Sequence, residues 1–151
     1  MLDSKGNSKI CGFINCINYS AKKKDENGIF ACSYKGDEYL SPEVIKRHLF
    51  DHSIDYWALG IIVYRMFTGK FPFLNEESAR NDSVPSLDEL NISKEAKQFI
   101  LNLLTKDPAN RYGSTKNSKR SKDDDFFNGF KWHSLKKGAI EPPFKPILVK
   151  N

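Results

Sequence analysis

Ser53-Ile54-Asp55-Tyr56-Trp57-Ala58-Leu59-Gly60-Ile61-Ile62-Val63-Tyr64, with Gly69 after the last apolar residue, is the stretch that decides the fold. Side chains suited to capping a helix come first, an apolar run follows, and a glycine closes it, which predicts one helix. The run is apolar on nearly every face. In a water-soluble chain that pattern belongs to a helix at the centre of the fold, wrapped by the other elements rather than packed on one side. The apolar run from Trp57 to Phe67 is broken by Arg65 and is well short of the roughly 20 residues that cross a bilayer, so no membrane partner is expected.

A second helix follows from spacing alone. Ser93 can cap it, Glu95 falls in its first turn, and Ala96, Phe99, Ile100, Leu103 and Leu104 recur at the interval of one buried face, with Asp107-Pro108 as its end. Between the two helices, Leu74 to Asn91 is polar with few apolar residues, so any helix there is expected to be short and weakly anchored. Further out, Leu2 to Ile10 reads as a small hairpin turning at Ser4-Lys5-Gly6-Asn7, and Asn18 to Lys35 as a surface loop. Asp123-Asp124-Asp125 reads as the acidic start of a helix, and Glu141-Pro142-Pro143-Phe144-Lys145-Pro146 as an extended tail.

The 151 residues carry 39% hydrophobic and 13% aromatic side chains, enough for one core and too much for a chain disordered throughout. A net charge of +5 and a sequence pI near 9.0 are modestly basic. The first residues lack the pattern of a secretory signal, and Cys11, Cys16 and Cys32 are an odd set without metal spacing. A cytoplasmic chain with free thiols is the expectation.

Four ordered motifs resemble the second half of a eukaryotic protein kinase domain: Gly36-Asp37-Glu38-Tyr39-Leu40-Ser41-Pro42-Glu43, Asp55-Tyr56-Trp57-Ala58-Leu59-Gly60, Gly69-Lys70-Phe71-Pro72-Phe73 and Asp107-Pro108-Ala109-Asn110-Arg111-Tyr112-Gly113. The stretch from Phe126-Phe127-Asn128-Gly129-Phe130-Lys131-Trp132-His133 to Pro142-Pro143 resembles the cyclic-nucleotide-dependent (AGC) branch of Ser/Thr kinases, closest to cGMP-dependent protein kinase. The resemblance implies a mainly α fold: the large, C-terminal lobe of the kinase fold, with a small β-hairpin at its N-terminus and an extended C-terminal tail. It divides the chain into a partial kinase domain at 1–134 and a tail at 135–151.

The resemblance also assigns structural residues. Glu43 occupies the glutamate of the Ala-Pro-Glu motif and is expected to pair with Arg111, because a planar guanidinium binds a carboxylate bidentately and tolerates burial. Asp55 is where the family's carboxylate braces the catalytic loop, and is otherwise a plain N-cap. Trp57 belongs to the same motif.

Catalytic residues are not expected among these 151. The glycine-rich loop, the phosphate-binding lysine and the His-Arg-Asp loop all precede the hairpin in the family. Gly12-Phe13-Ile14 stands where the family has Asp-Phe-Gly, so Gly12 replaces the magnesium-binding carboxylate. ATP and magnesium, the family's cofactors, are therefore not expected to bind this chain. Cys32 falls on the phosphorylated threonine of the activation loop, which leaves Ser33 as the candidate phosphosite. Arg65 sits where basophilic relatives carry a glutamate that accepts a substrate arginine, or else is an ordinary solvated helix residue.

Rival constellations are weaker. His48 and His52 have the i, i+4 spacing of a helical zinc pair but lack the zincin glutamate and an evident third ligand. The lysines from Lys116 to Lys122 have no interleaved aromatic to stack a base, so nucleic acid is not expected as a partner. Phe126, Phe127, Phe130 and Trp132 read as core anchors of the terminal segment. The expected function is that of a truncated, pseudokinase-like lobe without phosphotransferase activity. At most it is a protein-binding module, with its partner at the open top of the lobe. The alternatives are a fragment of a Ser/Thr kinase that phosphorylates proteins with ATP and, behind it, a basic nucleic-acid binder.

Overall fold

The computed structural model describes residues 1–13, 16, 37–114 and 121–146, in two units. One comprises Asn18–Asn128, the other Met1–Ile17 together with Gly129–Asn151. Five α-helices occur among the described residues: α1 Pro42–Ile45, α2 Ser53–Thr68, α3 Glu76–Asn81, α4 Lys94–Leu103 and α5 Trp132–Lys136. Three single 3-10 turns accompany them, at Asp37–Tyr39, Ser121–Asp123 and Asp125–Phe127. No sheet forms among the described residues, and none of these helices is long and apolar enough to cross a membrane.

In the larger unit, α2 and α4 pack on each other. Gly60 makes this approach close: a Cβ there would lie 2.8 Å from Leu104 Cδ2 and 2.9 Å from Leu103 Cβ. Trp57, Ile61 and Tyr64 of α2 join Ile100, Leu104, Phe73, Ala79 and Leu87 in one core. Burying each large apolar side chain contributes about 1.5–3 kcal/mol, so this cluster is the main source of cohesion. Phe99, Leu103 and Tyr112 form a neighbouring cluster, on which Phe126 and Phe127 lie half-buried; Phe126 stacks on Phe99 with ring centroids 5.1 Å apart.

Helix α2 ends as expected, on left-handed Gly69 (φ 71°) whose N–H returns to Arg65 O at 2.8 Å. It is not wrapped on every side. Trp57, Gly60, Ile61 and Tyr64 face inward, while Leu59, Ile62 and Met66 are exposed, Met66 by 79%. An all-apolar helix thus packs by one face, and hydropathy alone does not reveal which. Helix α4 matches its expected face, and the Ser93 hydroxyl accepts the Ala96 N–H at 3.1 Å.

Helix α3 is short, as expected, but better anchored than its composition suggests. Asn75 and Ser78 form a reciprocal capping box, Ala79 is buried, and Lys106 Nζ donates to the carbonyls of Ser78 and Ala79. The triple aspartate does not open an α-helix. Only 3-10 turns form there: Asp124 takes an extended backbone (ψ 146°) that separates the two turns and accepts the Phe126 N–H (3.0 Å), and the second turn ends at Asn128 before left-handed Gly129 (φ 77°).

In the smaller unit the N-terminal turn is held by its own side chains. Asp3 Oδ1 accepts the N–H of Lys5 (3.0 Å) and of Asn7 (2.8 Å), and Leu2 bridges Ser8. The pairing stops at that one antiparallel bridge, so the expected two-stranded hairpin is reduced to a turn. Ile10 and Phe13, beyond it, are exposed and supply no packed face to extend the strands. The segment at Pro142–Phe144 lies directly on this turn: a Cβ at Gly6 would come within 2.0 Å of Phe144 O, a space only glycine leaves open. Phe130 is 43% exposed, so of the four expected aromatic anchors it is not core.

Candidate functional site

Arg111 is aimed into the larger unit by the turn that precedes it. Asp107 accepts the Ala109 N–H at 3.0 Å, and its carbonyl accepts the Arg111 N–H at 3.1 Å. The guanidinium then meets Glu43, in the first turn of α1 behind Pro42, through Nη1 to Oε1 at 2.7 Å and Nη2 to Oε2 at 3.0 Å. Its other N–H groups donate to Ser53 O (3.2 Å), Thr105 O (2.9 Å) and Lys106 O (3.2 Å). All five donors of the side chain are therefore used. Arg111 is fully buried and Glu43 is 4% exposed, so this charge pair is compensated inside the protein rather than by water.

Trp57 roofs the pair. Its ring lies 5.1 Å from the Arg111 guanidinium carbon and stacks on Phe73 at 5.5 Å. Lys106 reaches the same aromatic layer, with Nζ 4.1 Å from the Phe73 centroid. Burial pulls its ammonium down to about 8, against an upward pull from Asp82 and a further downward push from Lys46. Arg111, Glu43, Trp57 and Lys106 thus tie α1, the start of α2, the end of α3 and the loop after α4 into one node. Chemically it fixes backbone.

A second clasp joins Tyr112, whose hydroxyl donates to Asp124 Oδ2. Burial and this carboxylate push the phenol up to about 12. Behind it, left-handed Gly113 (φ 79°) lies against the Tyr56 ring, where a Cβ would come within 2.2 Å.

Among the residues singled out by sequence, the structure brings Glu43, Trp57 and Arg111 together. Asp55 stands apart, exposed in the first turn of α2, and is not the cap: the helix begins at Ser53 with His52 at the N-cap, and Asp51 accepts the Ser53 N–H at 2.8 Å. Arg65 is not merely solvated. Its Nη1 donates to Tyr39 Oη at 2.8 Å and its guanidinium lies 4.1 Å over Phe71. Gly12 belongs to the smaller unit, and a Cβ there would meet no heavy atom within 4 Å. Ser33 and Cys32 lie outside the described residues. Lys106 and Asp124 went unmarked by sequence reasoning. Lys106 carries no local signal, and Asp124 registered only as one charge among three.

The profile of the protein kinase domain matches residues 1–122, and the chain belongs to that family. Its helical, sheet-free described residues agree with the large lobe of that fold. The chain is similar to protein kinase C of Drosophila melanogaster, 33% identical over 153 residues, covering 98% of this chain and 20% of that protein. It is similar also to human RAC-beta serine/threonine-protein kinase, 32% identical over 155 residues, covering 99% and 31%. Protein kinase 3 of Dictyostelium discoideum is 33% identical over 159 residues, covering 98% and 17%. The chain therefore spans less than a third of the length of these relatives.

Proposed function

We propose that this chain is a kinase-family large lobe that transfers no phosphate itself and serves as a protein-binding module. The observation that carries the reading is Gly12. A glycine at the position of the family's magnesium-binding aspartate offers no carboxylate, while the Glu43–Arg111 node that supports the lobe is intact. A scaffold maintained without its metal ligand is suited to holding a surface rather than to handling a nucleotide. Within the family the reading places the chain in the cyclic-nucleotide-dependent branch, nearest cGMP-dependent protein kinase, on the strength of the stretch from Phe126 to His133. A cytoplasmic location is part of it, supported by Cys11 and Cys16, which are exposed and unbridged.

The second reading, a fragment of a Ser/Thr kinase that phosphorylates proteins with ATP, draws support from the small share of each relative that the chain covers. Thermal-shift titration with Mg-ATP and a radiolabel transfer assay separate the two. No saturable stabilisation and no labelled substrate are expected, both for the chain and for any longer product that carries Gly12. Saturable stabilisation together with transfer overturns the proposal.

A further inference from the structure

Helix α2 turns Leu59, Ile62 and Met66 to solvent, and beside Ile62 and Met66 lies a cavity of about 320 Å³ completed by Tyr39, Arg65 and Gly69. Most of this lining is apolar, and its one charged member is held in place. Arg65 is fixed from two directions, by the Tyr39 hydroxyl at 2.8 Å and by the Phe71 ring at 4.1 Å, and Tyr39 itself meets Phe71 edge-on at 5.5 Å. Among the described residues no carboxylate pairs with Arg65. One of its five N–H groups is used by Tyr39, and among the described residues the others meet no hydrogen-bond acceptor. An exposed arginine ordinarily spends rotamer entropy on binding; one already fixed against an aromatic ring spends less.

We propose that this cavity is a docking site for a peptide segment of a partner protein that presents an acidic side chain next to an apolar one. The carboxylate meets the free edge of the Arg65 guanidinium in the bidentate geometry that planar group favours. The apolar neighbour covers Ile62 and Met66, and methionine's unbranched thioether adapts to a range of shapes. Charge fixes the sense of the choice: a basic residue at the same point meets a like charge already held by Tyr39 and Phe71. The inference rests on the reading of the chain as a protein-binding module and names the chemistry that module selects.

The test is fluorescence anisotropy of the full 151-residue chain with three labelled peptides of equal length: alternating glutamate and leucine, alternating lysine and leucine, and alternating glutamate and serine. The Glu/Leu peptide is expected to bind at least tenfold tighter than either of the others. Arg65→Glu should reverse the preference between the Glu/Leu and Lys/Leu peptides, and Met66→Ser should weaken both leucine-containing peptides. Each variant is first shown to unfold at the parent denaturation midpoint. Equal binding of the acidic and basic peptides, or an unreversed preference in a folded Arg65→Glu chain, overturns the site. The Mg-ATP experiment is independent of this outcome: the chain can fail to select acidic peptides and still transfer no phosphate, or the reverse.

Discussion

The guanidinium of Arg111 closes on the carboxylate of Glu43 across 68 residues of chain, with both oxygens engaged and neither group in water. Removing one member leaves the other charged and buried, which costs about 3 to 5 kcal/mol. That is a large part of a small domain's stability. Arg111→Ala is therefore expected to unfold at a much lower denaturant midpoint than Glu43→Gln/Arg111→Met, in which no charge is stranded. A single variant with the parent midpoint would falsify the structural role of the pair.

Tyr112 makes the stability sensitive to alkali. Its phenol, ordinarily near 10.0, is held up to about 12 by burial and by Asp124. Between those two values the folded chain keeps a proton that the unfolded chain releases, so stability falls as pH rises through that window and the contribution is complete below it. Tyr112→Phe should remove the fall and cost about 1.5 to 3 kcal/mol at neutral pH, the range for a hydrogen bond to a charged group. Urea unfolding at a series of alkaline pH values is the measurement.

Lys106 acts with the opposite sign at lower pH. Burial lowers it from 10.5 to about 8, so between these values the folded chain has lost a proton that the unfolded chain still carries. Stability should therefore rise from pH 8 toward pH 10, and Lys106→Met should abolish the rise. An unchanged slope in the variant assigns the effect to another group.

Gly60→Ala sets two terms against each other. Alanine favours a helix interior over glycine by about 1 kcal/mol. The new methyl, however, would sit 2.9 Å from Leu103 Cβ, an atom fixed to the α4 backbone, and overpacking of this kind costs about 1 to 3 kcal/mol. A net loss of stability is expected in equilibrium denaturation, and a stabilised variant would mean that α2 and α4 can move apart freely.

Legibility in the sequence followed the range of the interaction. Helix α4 was readable in full, because its cap and its buried stripe are local patterns. Helix α2 was readable in extent but not in orientation: a run apolar all round does not say that Trp57 and Ile61 turn inward while Ile62 and Met66 face solvent. The aspartates at 123–125 form no α-helix because the extended backbone of Asp124 splits the run and Asn128-Gly129 ends the next turn at once, neither of which charge counting registers. At the candidate site, Glu43 and Arg111 were found through motif resemblance, not spacing. Lys106 and Asp124 are held by contacts 12 to 28 residues away, which leave no local signature.

The Tyr112–Asp124 clasp has a consequence for how the lobe can be altered. Because the two residues are bound to each other, positions 112 and 124 are held side by side whatever the length of chain that joins them. Gly113 and Ser114 at the start of that interval still belong to the packed part, through the Tyr56 ring and the Ala109 carbonyl. Loop-closure entropy grows only slowly with length, by about 0.6 kcal/mol for each doubling. An epitope or a small reporter domain spliced in between positions 114 and 121 is therefore expected to leave the lobe folded, with the clasp serving as the seam.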